Sequence, residues 1–294
     1  MRNNYFPFIL LFIASGCQQQ PAKTSLKPGY DYCYILNDSA RLFSSDSQET
    51  RTILLTGTDP VLSPDGSWIA YTDTTTHDER SIRLFEIATG KTTNLDTACR
   101  ECFGPVWSPD GGHIAYSFYS KTWDIRYADR ANGLVHLLAN SADTLEGIYS
   151  PTWTEDGKNI IAQDMSYVYI IRLDGVIIKK IALKEIDTAL MITSDSRFLL
   201  TKDGGRLIYD SGVDEGPEGD EPPNAIFSYD LAVKTKRRLS PKGWDCWHPV
   251  MKDSLIYVNA VKINDSSFDI YSMNLEGGNF KKVIHGAGIS LRSR

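Results

Sequence analysis

The sequence predicts an all-β fold, a six-bladed β-propeller with four-stranded blades whose ring is closed by strands from both chain ends. Three observations predict it. A segment recurs: Pro60-Val61-Leu62-Ser63-Pro64-Asp65-Gly66 before Trp68-Ile69-Ala70-Tyr71, Pro105 to Gly111 before His113-Ile114-Ala115-Tyr116, and Pro151 to Gly157 before Asn159-Ile160-Ile161-Ala162. The Asp-Gly pairs stand 45 and 46 residues apart, a period that marks solenoids and propellers because one such unit cannot bury its apolar faces alone. Each unit also reads as four short alternating, β-branched or aromatic runs separated by Asp-Gly, Asn-Gly or Gly-Gly, which are hairpin signals. Finally, 41% hydrophobic and 23% charged residues in a chain of 294 suit one globular domain.

At the N-terminus, Arg2 precedes an apolar stretch, Phe6 to Ile13, that is too short to span a bilayer. Residues 1–16 therefore read as a signal peptide. Ala14-Ser15-Gly16-Cys17 resembles the lipobox of bacterial lipoproteins, with Ala14 where that pattern prefers Leu. The resemblance implies cleavage before Cys17 and its diacylation; ordinary secretory cleavage is the alternative. Gln18, by resemblance to enteric lipoproteins, implies the outer membrane, on its periplasmic or surface face. Residues 17–29, polar and with Pro21 and Pro28, read as a flexible tether, and 30–294 as the propeller.

The first blade takes Tyr32 to Asn37, Ala40 to Ser45 and Thr50 to Leu55 as strands B, C and D, and borrows strand A from Gly288 to Arg294. Sharing strands between the ends leaves no open edge. The three strong repeats found the next blades, whose second halves are Ile82 to Leu95, Asp124 to Leu138 and Tyr167 to Ile181. Two weaker copies lack Pro and Gly but keep the turn Asp. They are Thr193-Ser194-Asp195-Ser196 leading into Phe198-Leu199-Leu200, and Met251-Lys252-Asp253-Ser254 leading into Leu255 to Val258, with second halves Ala225 to Leu239 and Asp269 to Ile284. Trp107 and Trp153 are expected to fill layers between blades.

The pattern Pro-x-Trp-Ser-Pro-Asp-Gly-x-x-Ile-Ala-Tyr, complete from Pro105 to Tyr116, resembles the TolB-type β-propeller repeat family. The likeness covers nearly the whole mature chain. It implies the propeller fold and a TolB-like lipoprotein lacking the separate N-terminal domain that TolB proteins place before their propeller, which puts a full Tol-system role in doubt. It does not fix function, since such repeats serve binding proteins, peptidase gating domains and some lyases.

A net charge of −6 without a Lys/Arg stripe argues against nucleic acid and against membrane contact other than through a lipid anchor. No G-x-S-x-G, H-E-x-x-H, Walker or G-x-G-x-x-G pattern is present in a supporting context. Asp65, Asp110 and Asp156 are assigned to tight turns. Cys99 and Cys102 suit a local disulfide in an exported protein, or free or otherwise paired thiols, while Cys33 and Cys246 are expected at different heights. The candidate binding rim is Phe118, Tyr119 and Trp123 flanking the B–C loop of the third blade with Trp244, Trp247 and His248 in a D–A loop, either stacking a ligand or packing. Asp214, Glu215, Glu218, Asp220 and Glu221 form an acidic insertion, a mobile lid or a calcium site. These features describe a monomeric, non-catalytic binding or scaffold lipoprotein of the cell envelope, without cofactor, metal or catalytic residue, whose partner is an envelope protein or glycan. The alternative is a metal-dependent carbohydrate lyase or hydrolase using His77, His248 and His285 on the same rim.

Overall fold

Strand B of each repeat is apolar on both faces, as in Ile69-Ala70-Tyr71-Thr72, where every residue is buried. A strand of that kind needs a neighbour on each side of its sheet. The computed structural model, which describes residues 30–55, 57–74, 79–138, 147–189, 191–216 and 221–292, supplies those neighbours by stacking six sheets around an axis. The signal peptide, the tether and Cys17 lie outside the described residues.

Each sheet has four antiparallel strands, in sequence order in all but the first blade. The first blade contains β1 (Tyr32–Leu36), β2 (Ser39–Phe43) and β3 (Thr50–Ile53). The second contains β4 (Gly57–Leu62), β5 (Trp68–Thr74), β6 (Arg80–Glu86) and β7 (Thr92–Asn94). The third is β8 (Cys102–Trp107), β9 (His113–Tyr119), β10 (Trp123–Asp129) and β11 (Val135–Leu137). The fourth is β12 (Tyr149–Trp153), β13 (Asn159–Gln163), β14 (Tyr167–Arg172) and β15 (Ile177–Ala182), followed by the one-turn helix α1 (Leu183–Ile186). The fifth is β16 (Leu199–Leu200), β17 (Arg206–Gly212), β18 (Asn224–Asp230) and β19 (Thr235–Arg238). The sixth is β20 (Trp244–Lys252), β21 (Leu255–Lys262), β22 (Asp269–Asn274) and β23 (Lys281–His285).

The last strand, β24 (Ala287–Leu291), returns to the first blade and pairs Leu291 with Tyr32 and Ser290 with Cys33. Ser290 Oγ also accepts the Leu62 N–H at 2.8 Å from the second blade. The ring is thus closed by both ends, as the repeat count requires. Six apolar clusters occupy the six inter-blade layers. The tryptophans tie these layers together: Trp107 Nε1 donates to Val61 O at 3.1 Å and Trp153 Nε1 to Val106 O at 3.2 Å, each reaching the preceding blade.

The A–B turns share one hydrogen-bond pattern. Asp65 Oδ1 accepts from Ser63 Oγ at 2.6 Å and the Ser67 N–H at 3.0 Å, with Gly66 at φ +70°. Asp110 and Asp156 repeat it with Ser108 and Gly112, and with Thr154 and Lys158. A fourth copy corrects the expectation for the fifth blade. Asp203 accepts from Thr201 Oγ1 at 2.6 Å and the Gly205 N–H at 3.0 Å, 47 residues after Asp156. The segment Phe198-Leu199-Leu200 therefore enters strand A rather than B. Thr193 to Ser196 has no glycine for the left-handed position, whereas Gly204 sits at φ +69°. Among the described residues no helix is long and apolar enough to cross a membrane.

Candidate functional site at the mouth of the central channel

The first strands of successive blades touch one another around the axis, so strand A lines the channel. Within β4, β8, β12, β20 and β24 one residue turns to positive φ: Asp59 (53°), Gly104 (64°), Ser150 (54°), His248 (50°) and Gly288 (61°). The ladder shifts register at each of these points. Pro60, Pro105, Pro151 and Pro249 follow four of them, and a residue without an N–H suits a place where the ladder is already interrupted.

The amides freed at these bulges are capped across the blade interface. Gly104 N–H donates to Thr72 Oγ1 at 3.1 Å, Ser150 N–H to Ser117 Oγ at 3.0 Å, His248 N–H to Asp210 Oδ2 at 3.0 Å, and Gly288 N–H to Asn259 Oδ1 at 2.8 Å. Thr72, Ser117, Asp210 and Asn259 occupy one repeating position of strand B, which Gln163 holds in the fourth blade. Three of the four caps are neutral. The fourth is a carboxylate: burial raises the Asp210 pKa, and the hydrogen bond and charge of His248 offset this only in part.

The fifth blade breaks the pattern. Arg197 stands four residues before the turn hydroxyl of Thr201, as Asp59 does before Ser63, but Phe198 follows it instead of Pro. The guanidinium extends across the channel, with Nη2 3.0 Å from the point a Cβ on Gly104 would occupy. Burial lowers its pKa, opposed by the charges of Asp59, Asp195 and Asp210.

Phe118 does not reach the rim. It is 7% exposed, lies in the layer between the second and third blades, and is covered by the Arg126 guanidinium at 4.0 Å. Strand alternation turns its neighbour Tyr119 outward, 46% exposed. Trp123 packs on Tyr119 at 5.0 Å and edge-on to Phe103 at 5.1 Å, and Arg80, ion-paired with Glu101, lies over Phe103.

The Trp244 to His248 stretch is not a D–A loop but the start of β20. Its alternation buries Cys246 and leaves His248 exposed. Trp244 packs against Tyr271 and Phe280 at 4.9 and 5.2 Å, so it belongs to the outer packing of the sixth blade. Trp247 faces the exposed Phe268 at 6.3 Å. Phe103, Tyr149 and Trp247 each immediately precede a bulge residue and its proline. That aromatic-x-Pro recurrence was the signal that would have placed Phe103 and Tyr149 at the mouth.

A disulfide joins Cys99 and Cys102, with Cα atoms 6.0 Å apart. Asp96 lies beside them and accepts from Tyr116 Oη at 2.9 Å and Arg126 Nη1 at 2.7 Å. Cys33 and Cys246 are separate buried thiols on β1 and β20, both pushed up to about 12 by burial. In the acidic insertion Glu215 pairs with Arg238 and accepts the Gly243 N–H, while Glu218 and Asp220 lie outside the described residues. His285 bonds Asp269 at 2.6 Å on β23, the outermost strand of the blade whose innermost strand carries His248. Three strand spacings, about 14 Å, separate those strands, so the two histidines do not share a metal ion. His77 lies outside the described residues.

No family model matches the chain. An uncharacterized protein of Agrobacterium fabrum is 26% identical over 148 residues, 49% of this chain and 46% of that protein, so the match spans about half of either. TolB from Acinetobacter baumannii superposes with a TM-score of 0.62 at 17% identity, covering 90% of this chain and 65% of that one. A structure described as TolB from Agrobacterium tumefaciens gives 0.61 at 17% identity, covering 88% and 91%. An oligogalacturonate lyase in complex with manganese gives 0.53 at 16% identity, covering 84% and 70%. The chain therefore has the six-bladed propeller fold of TolB proteins.

Proposed function

We propose that the protein is a non-catalytic binding propeller of the bacterial cell envelope, lipid-anchored through Cys17 at the outer membrane, that holds an envelope protein or a glycan on the rim built by its D–A and B–C connections. The chemical contrast between the two ends of the ring carries this reading. One end is a set of near-identical turns at Asp65, Asp110, Asp156 and Asp203. The other carries Phe103, Tyr119 and Trp123 packed together on the third blade, and Trp247, Phe268 and the exposed His248 on the sixth. Variable loops on a rigid scaffold are where recognition concentrates, and amphipathic aromatics are enriched there.

A photo-crosslinking residue at Tyr119 and, separately, at Asp156 tests the face in living cells. Adducts from Tyr119 alone support the rim, and adducts from Asp156 alone move the site to the turns. Cys17→Ser tests the anchor: the variant is expected to leave the membrane pellet, and unchanged partition removes the lipid from the proposal.

A further inference from the structure

Five of the six blades present Asp59, Gly104, Ser150, His248 or Gly288 where strand A bulges into the channel, and the fifth presents the long cation Arg197. Its guanidinium has no hydrogen-bond acceptor among the described residues, although Asp59, Asp195 and Asp210 act on it through space. Such a group carries five donors in a planar fork suited to a carboxylate. Its Nη2 reaches Gly104, where an added Cβ would lie 3.0 Å from it.

Two buried oxygens of the strand B ring are also unanswered, and they flank the same blade. Asp210 spends Oδ2 on the His248 N–H and leaves Oδ1 without a partner, at 4% exposure for the residue. Gln163, fully buried, donates Nε2 to Thr193 O at 3.0 Å and Ser196 O at 2.6 Å, leaving Oε1 without a partner. Both partners of Nε2 are carbonyls, so the amide cannot be flipped to satisfy the oxygen. The segment 193–197, next to a strand A only two residues long, carries Arg197 and the two carbonyls that Gln163 engages, and Asp210 acts on Arg197 through space. Buried polar groups left unpaired are costly, and one ligand with complementary groups would satisfy all three.

We propose that the channel mouth binds a ligand bearing a single carboxylate next to a hydroxyl or amino donor, the carboxylate taken by Arg197 and the donors by Gln163 Oε1 and Asp210 Oδ1. The inference rests on the reading of this rim as the binding face and adds the chemistry recognised there. Exposed Asp59 and Asp195 disfavour a multiply anionic ligand. Two sources share the required chemistry, a sugar acid and an amino acid or peptide end.

Calorimetric titration of the whole mature protein with D-glucuronate and with L-serine separates them, with acetate and glucose as probes that each lack half of the pattern. Saturable millimolar binding of glucuronate, serine or both is expected, with acetate and glucose at least tenfold weaker. Arg197→Gln is expected to lose tenfold or more and Arg197→Lys to fall between, because an ammonium keeps the charge but not the fork. Binding of glucuronate alone assigns a sugar acid, and of serine alone an amino-acid end. The proposal is overturned if neither binds, if acetate or glucose binds equally well, or if both Arg197 variants, checked by melting, bind like the parent. Failure of every probe with the Tyr119 crosslinks preserved removes the pocket and not the rim.

Discussion

Asp210 Oδ2 accepts the backbone N–H of His248 at 3.0 Å across the interface between the fifth and sixth blades, the same contact that neutral Thr72, Ser117 and Asn259 make elsewhere in the ring. A carboxylate at this place is a stability cost. Its folded pKa is raised, first by burial, so the penalty is absent below the unfolded value of about 4, grows as pH rises, and is complete above the folded pKa. Asp210→Asn keeps an oxygen for the cap and removes the charge. Chemical denaturation across pH should show the variant more stable than the parent at neutral pH, with the difference vanishing in acid. Asp210→Ala, which strands the buried amide, is expected to lose about 1–3 kcal/mol.

The turn carboxylates respond with the opposite sign. At Asp65 burial acts to raise the pKa, but hydrogen bonds from Ser63, Ser67 and Arg130 prevail and lower it to about 2. For Asp110 and Asp156 the hydrogen bonds of Ser108 and Thr154 lead the lowering. A depressed folded pKa contributes stability above the unfolded value and loses it as pH falls through the folded one. Acid unfolding is therefore expected to steepen from about pH 4 toward about 2, and Asp65→Asn should flatten that part of the curve.

Ring closure predicts a graded response at the C-terminus. Ser290→Ala leaves the Leu62 N–H unpaired between the first and second blades and is expected to cost about 1–3 kcal/mol. Removing residues 286–294 strips the whole inner strand from the first blade and exposes two apolar layers, a loss of several kcal/mol against a total of about 5–15. Equal melting of the truncated and intact chains would show that the ring holds without β24.

The turn register of the fifth blade separates what could be read in the sequence from what could not. The second, third and fourth blades are legible because hydroxyl, carboxylate and glycine sit at fixed offsets that one turn demands. Thr201-Lys202-Asp203-Gly204-Gly205 keeps those groups but not the flanking Pro and Trp, while Thr193-Ser194-Asp195-Ser196 nearby offers hydroxyls and a carboxylate without the glycine. Gly204→Ala, at φ +69°, is expected to cost about 1–2 kcal/mol, and Ser194→Ala almost nothing. Arg197 and its unpaired neighbours were illegible for a different reason. They lie 13 to 47 positions apart in the chain, and no local pattern records which side chains a closed ring brings together.

The rim prediction turns on which aromatic residues the structure leaves available. Trp244 is engaged by Tyr271 and Phe280, and Phe118 lies under Arg126. Truncating either to Ala should lower stability by about 3–5 kcal/mol, the range for large aromatic core residues, and any loss of binding would follow unfolding. Trp123 and Trp247 pack on partners that are themselves nearly half exposed, Tyr119 and Phe268. As contact anchors each could contribute ~2 kcal/mol or more to association, so Trp123→Ala and Trp247→Ala are expected to weaken capture from envelope extract or binding on a glycan array by about thirtyfold with a smaller change in melting. Charge reversal at Asp110 and Asp156 on the opposite end provides the control. If capture survives both tryptophan changes but falls with the charge reversals, recognition belongs to the uniform turns, and the irregular rim is then packing alone.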